Sequence, residues 1–235
     1  MCGCCKRESV EAATQNPMAL LAAGANACAV DKCCQTALHF AAENDLASLV
    51  SPLIAAGARL EAKVGRYGTT ALLYACANGH EDTALALLAA GANARAVDGE
   101  RRTALHWAAR KGLASLVPRL LAAGVELELA AEDFGSTALL DACDNCYEEV
   151  ALALLAAGAS AHVPRHDGYT ALHFAARKGL ASAVTPLLEA GAQLEATAGN
   201  DSNTPLMEAR DYGHHDVAVV LLAAAAAARA QGGAA

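Results

Sequence analysis

Six times in this chain a threonine opens the same seven-residue phrase. The copies read TALHFAA from Thr36, TALLYAC from Thr70, TALHWAA from Thr103, TALLDAC from Thr137, TALHFAA from Thr170 and TPLMEAR from Thr204. The threonines recur with a period of about 33 residues, and no interval departs from the next by more than a single position. A glycine closes each of the first five copies at one fixed offset from its threonine: Gly57, Gly91, Gly124, Gly158 and Gly191; the sixth copy has Ala225 there. A register held this tightly means one structural unit repeated. A unit this short cannot bury both of its faces alone, so neighbours must stack to make the core.

Each unit specifies two helices. Thr36, Thr103 and Thr170 stand where an N-cap hydroxyl can accept an orphan amide hydrogen. In ALHFAA, Leu38 and Ala41–Ala42 fall on one face at helical spacing. The second segment, TALALLAAG in one copy, has an apolar inner face and stops at Gly91, the residue type best suited to a left-handed cap. Hydrophobic residues reach 55% but aromatics only 4%, much of the difference being alanine, so the helices should lie close over small side chains.

The copies alternate. Those at 36, 103 and 170 carry His39, His106 and His173 at the fourth position; those at 70, 137 and 204 carry Leu73, Leu140 and Met207. The loop from glycine to the next threonine alternates too, being longer by a single position after Gly57, Gly124 and Gly191 than after Gly24, Gly91 and Gly158. Both alternations point to duplication of a pair. The histidine-bearing copies also hold Pro52, Pro118 and Pro186 in the second helix, with Ser48, Ser115 and Ser182 three or four residues earlier. If each serine is an N-cap, each proline falls in the first turn, where amides are unpaired anyway; a late start or a kink is expected.

The period, the T-(A/P)-L-H-x-A heading and the LL-x-x-G-A ending together resemble the ankyrin repeat, over about residues 15 to 230. The resemblance implies an all-α solenoid of stacked helix-turn-helix units with projecting β-turn fingers. Residues 1–14 are read as a cysteine-rich flexible segment with a degenerate first helix. Residues 15–230 hold a degenerate leading repeat, with Asn16 as N-cap and Pro17 at the first helical position, followed by six repeats. Residues 231–235 are read as a frayed tail. In that family the heading histidine bonds the threonine and neighbouring backbone, so a structural role is expected for His39, His106 and His173. Gly68, Gly135 and Gly168 occupy the family's finger glycine, two before threonine; Cys34, Arg101 and Ser202 replace it elsewhere, which puts those fingers in doubt. The family's asparagine four after the terminal glycine is replaced by Cys28, Glu61, Arg95, Glu128, His162 and Glu195, so its hydroxylation is not expected.

A net charge of −8 argues against nucleic acid or an anionic membrane as the main partner. Residues 17–30 imitate a signal sequence, but the same pattern recurs at 84–97 and belongs to the repeat. The apolar run from Val217 to Ala228 is too short to span a bilayer. Nine cysteines, an odd number with no leader, argue against a disulfide framework. Cys143 and Cys146 spell C-x-x-C, yet Cys143 occupies the small core position of Ala109 and Ala176, and a buried thiol is expected. Cys2, Cys4 and Cys5, with Cys28, Cys33 and Cys34 nearby, could accept palmitate, bind metal or be incidental. No nucleophile elbow, phosphate loop or metalloprotease motif occurs. A cytoplasmic, monomeric, non-enzymatic protein without cofactor or metal is expected, compatible with the nucleus, and on a membrane only if acylated.

In ankyrin folds the finger tips and the exposed side of the first helix line a concave face. Placed on that frame, the resemblance assigns partner binding to Phe40, Tyr67, Tyr74, Trp107, Arg110, Lys111, Phe134, Asp144, Tyr169, Phe174, Arg177 and Lys178. Scarce aromatics gathered on one face are what a hot-spot surface needs. The arginine–lysine pairs alternate with Asp144, giving charge stripes that favour a protein or peptide of mixed charge. The alternative for the rings is half-buried packing between repeats.

Overall fold

The computed structural model describes residues 26–31, 35–199 and 201–232. These residues form six pairs of α-helices and, beyond three isolated antiparallel bridges, no strand. They fall into two compact units that divide between Gly99 and Glu100. The first holds α1 (Ala37–Glu43), α2 (Ala47–Ala55), α3 (Ala71–Asn78) and α4 (Glu81–Ala89). The second holds α5 (Ala104–Lys111), α6 (Leu116–Ala122), α7 (Ala138–Asp144), α8 (Glu148–Ala156), α9 (Ala171–Lys178), α10 (Ala181–Glu189), α11 (Pro205–Asp211) and α12 (His215–Gly232).

Within each unit the packing follows the repeat. In the first, α1 lies on α3 and α2 on α4; in the second, α5, α7, α9 and α11 form one row and α6, α8, α10 and α12 the other. The contact layer is alanine where helices approach most closely, including Ala41, Ala75, Ala108, Ala142 and Ala175, all fully buried. Leu38, Leu72, Leu105, Leu139 and Leu172, third in their phrases, are buried beside them. Each such leucine contributes about 1.5–3 kcal/mol through area removed from water.

The second helices stop as the glycines require. Gly57 has φ +88°, its N–H bonds Ile54 O at 2.9 Å, and Ala58 N–H bonds Leu53 O at 2.9 Å. Those two bonds make a Schellman ending, and the same pair recurs at Gly91, Gly124, Gly158 and Gly191. The sixth repeat, with Ala225, lacks the stop, and α12 continues to Gly232.

All six heading threonines cap their helices in extended backbone, but the hydroxyls divide by set. Thr70, Thr137 and Thr204 accept from the amides of Leu73, Leu140 and Met207 at 3.5, 3.5 and 3.4 Å. In the other set the hydroxyl meets a ring: Thr36, Thr103 and Thr170 Oγ1 lie 2.8, 2.9 and 2.8 Å from Nδ1 of His39, His106 and His173, and Thr103 Oγ1 also accepts from the Leu105 amide at 3.2 Å. Each Nε2 meets a carbonyl of the following repeat, Thr69 at 3.1 Å, Ser136 at 3.1 Å and Asn203 at 3.0 Å. The carbonyl accepts, so Nε2 carries the hydrogen and Nδ1 accepts from threonine. Burial holds all three imidazoles below the usual histidine range, against the pull of those carbonyls.

The expected late start is seen in one helix only, where Ser115 takes the N-cap position without a side-chain capping bond. Ser115 precedes α6 and puts Pro118 in its first turn. The other two helices start earlier, at Ala47 and Ala181, and enclose Pro52 and Pro186. There the serines lie inside the helix, and Ser182 Oγ bonds the Glu148 carboxylate across the stack instead of capping. Pro118 stands six residues before its glycine and the others five, which separates the two outcomes.

The substituted fingers keep their form. Arg101 and Ser202 adopt φ +57° and +54°, the left-handed conformation of Gly68, Gly135 and Gly168. Cys34 and residues 1–25, with the leading repeat's helices, lie outside the described residues. In the second unit successive fingers are joined by backbone bonds: Glu132 N–H to Glu100 O at 2.8 Å, His166 N–H to Phe134 O at 2.9 Å and Gly199 N–H to Asp167 O at 3.0 Å.

Candidate interaction surface

The first-helix row of the second unit and its fingers carry a continuous series of arginines and rings. Arg110 lies in the last turn of α5 and pairs with Asp133 at 3.1 Å and with Asp141, on α7, at 3.0 Å. Its guanidinium and that of Arg102 lie 5.6 and 4.4 Å from the Trp107 ring centre, cation–π distances. Arg165, in the next finger, bonds Asp167 at 2.6 Å and lies 3.6 Å from Asp144. It stacks on Phe134 at 5.3 Å, Phe174 at 4.8 Å and Tyr169 at 6.0 Å. Arg177, on α9, grips Glu208 of α11 through Nε at 2.8 Å and Nη2 at 3.1 Å, and donates to Tyr169 Oη at 2.7 Å. Its plane lies 4.5 Å from Tyr169 and 5.4 Å from Tyr212.

These pairs follow the pairwise alternation. In the second unit the histidine-bearing repeats put arginine seven after the threonine, and the other repeats put an acid four after it, where it meets that arginine. The equivalent acids differ electrically. Burial pushes the Asp141 carboxyl up, against Arg110, His106 and Ser136. Burial also opposes charge on Glu208, but bonds from Arg177 and Asn203 prevail and hold it below the usual carboxylate range. Glu208 in turn raises Arg177.

The predicted surface residues separate into groups. Phe134 is 57% exposed and Tyr67 38%. Phe40, Tyr74, Trp107 and Tyr169 are half-buried. Phe174 is corrected: at 1% exposure it is a core ring under Arg165 and cannot touch a partner. Of the charge stripes, Arg110, Arg177 and Lys178 are paired within the chain, the last with Asp144 at 3.6 Å. Lys111 is exposed. Tyr212, 57% exposed and eight after its heading threonine, and Arg165 complete the row; of the two, Arg165 is the one that sequence reasoning misses. The acid at each fourth position, facing an arginine one repeat back, is the sequence signal for the Arg110 and Arg177 pairs.

In the first unit, Gln35 Nε2 bonds Glu43 and Tyr74 Oη, each at 3.3 Å, and Tyr74 meets His39 edge-on at 5.5 Å. Arg66 lies 4.5 Å over Tyr67.

Cys76 and Cys143 are buried, and burial pushes each thiol up to about 12. Cys146 is exposed at φ +64°, so C-x-x-C joins a core thiol to a surface one. Among the described residues no group of three histidine, cysteine or acidic side chains could hold a metal ion. Cys2, Cys4, Cys5 and Cys33 lie outside the described residues. No described helix is long and apolar enough to cross a membrane. On the second-helix side an open groove of about 750 Å³ runs past Leu152, Leu155, Pro186 and Glu189.

The family profile described as "Ankyrin repeats (3 copies)" matches residues 10–98, 87–165 and 154–231. The B-cell lymphoma 3 protein homolog of Mus musculus is 33% identical over 181 residues, 75% of this chain and 40% of that protein. The nuclear factor NF-kappa-B p105 subunit of Gallus gallus is 34% identical over 165 residues, 67% of this chain and 16% of that protein. Ankyrin repeat and SOCS box protein 16 of Homo sapiens is 34% identical over 190 residues, 77% of this chain and 41% of that protein. The chain therefore spans well under half the length of these relatives.

Proposed function

The chain belongs to the ankyrin-repeat family, a family of protein-interaction modules, and we propose that it receives a protein or peptide partner on the first-helix and finger face of its second unit. The supporting observation is the arginine–aromatic row. Phe134 and Tyr212 are exposed large rings, and cations held by carboxylates fix the groups between them. A ring of this kind offers apolar area at little further cost in side-chain entropy, the property of an interface anchor. Binding is favoured over catalysis by the state of the reactive groups. The three heading histidines are held neutral and bonded on both nitrogens, and the two core thiols stay protonated at neutral pH.

The test is a display selection of protein fragments on the full chain. Binders should lose at least tenfold in affinity to Phe134→Glu and Tyr212→Glu, with helical circular dichroism unchanged. Leu152→Glu, on the second-helix groove, should leave them intact. The reverse pattern would overturn the assigned face.

A further inference from the structure

The charges on this face constrain the partner's chemistry. Arg102 is paired with Glu100, Arg110 with Asp133 and Asp141, Arg165 with Asp167 and Asp144, Arg177 with Glu208, and Lys178 with Asp144. Asp141 and Glu208 are 5% and 1% exposed, so an incoming charged group could not displace them without stranding a buried carboxylate. Each guanidinium is thus occupied at its edge by oxygen and on its face by a ring. A partner that relied on acidic side chains would find these cations neutralised, and one that relied on basic side chains would find the acids taken.

Two large rings of this row stay exposed beside those pairs. Phe134 and Tyr212 end a chain of contacts that runs through Arg165, Tyr169 and Arg177, in steps of 5.3, 6.0, 4.5 and 5.4 Å. The two ring centres are therefore at most about 21 Å apart, the length of roughly six residues of extended chain. Side chains on one side of an extended segment recur every second residue, so two anchors on this face fall two, four or six residues apart.

We propose that the face takes an extended, uncharged peptide segment whose two apolar side chains, two, four or six residues apart, cover Phe134 and Tyr212. This rests on the face proposed above and specifies what occupies it. A selection of random dodecapeptides on the full chain, followed by binding of synthesised winners at 50 and 500 mM sodium chloride, tests it. Expected are peptides with apolar residues at those spacings and few charges, whose affinity changes less than about twofold between the two salts. Phe134→Ala and Tyr212→Ala should each weaken them at least tenfold, and Lys111→Ala less than twofold. Winners rich in acidic or basic residues that bind this face and weaken severalfold with salt would overturn the inference and leave the face standing. Winners indifferent to both ring substitutions would overturn the face as well.

Discussion

Replacing His106 by leucine, the residue that Leu73 and Leu140 place at the same position, tests the inter-repeat bond in one step. His106 is 1% exposed, and its Nε2–H is donated to Ser136 O at 3.1 Å. Leucine leaves that carbonyl buried without a donor, a cost of about 1–3 kcal/mol. The Thr103 hydroxyl keeps the bond it already accepts from the Leu105 amide at 3.2 Å, and the new side chain adds apolar contact, so a net loss of about 2 kcal/mol is expected at pH 7.5. For a chain of this size that is roughly 4–8 °C in Tm. The difference must shrink in acid. The folded-state pKa of His106 is lowered by burial, so below the unfolded value of 6.5 the unfolded chain binds a proton that the folded wild type refuses. Stability is full above that value and is lost as pH falls towards the folded pKa. At pH 5 the histidine therefore costs the wild type at most about 2 kcal/mol, which would erase the gap. The single tryptophan, Trp107, is the neighbouring residue and reports urea unfolding of this unit by fluorescence. A leucine variant as stable as the wild type at pH 7.5, or a gap that does not narrow by pH 5, would refute the bonding scheme.

Other perturbations address separate parts of the structure. Ser202→Gly relieves a left-handed residue at about 1–2 kcal/mol and loses about 0.5–1 kcal/mol to chain entropy, so urea unfolding should show a gain of up to about 1 kcal/mol. Gly112→Ala combines φ +75° with a Cβ 2.5 Å from the Tyr147 ring, and should lose at least about 2 kcal/mol in the same assay. Arg177→Ala leaves Glu208 unpaired at 1% exposure; with Arg177 itself 24% exposed, a loss of about 2–3 kcal/mol is expected. Adding Glu208→Leu should recover much of it. Pulsed alkylation read by mass spectrometry should label Cys28 and Cys146 in the native state, and Cys76 and Cys143 only after denaturant.

The repeat, its helices and its glycine stops are legible in the sequence because each depends on neighbours along the chain. A threonine, a leucine two later and a glycine at the end carry the same physics in every copy. The histidine's role is legible through the ankyrin resemblance, and its partners do lie at fixed offsets in its own repeat and the next. The finger at Ser202 is harder to anticipate: the sequence offers a non-glycine, but the bridge between Ala198 and Asn203 holds it left-handed. Pro52 and Pro118 show how one residue of register relative to the terminal glycine moves a helix start. The surface is least legible. Phe174 and Phe40 occupy the same repeat position, and Arg165 and Tyr169, from a finger with its own sequence, help to bury one of them. Arg110 and Arg177 look like free charge until Asp141 and Glu208 are placed one repeat along.

The central claim is that a partner occupies the first-helix and finger face of the second unit. Amide hydrogen exchange of the full chain, with and without a saturating dodecapeptide from the selection, tests it most directly. The account predicts slowed exchange in the fingers over 131–136 and 164–169 and in α11, with α8 and α10 unchanged. Protection confined to α8 and α10, along the groove past Leu152 and Pro186, would contradict it.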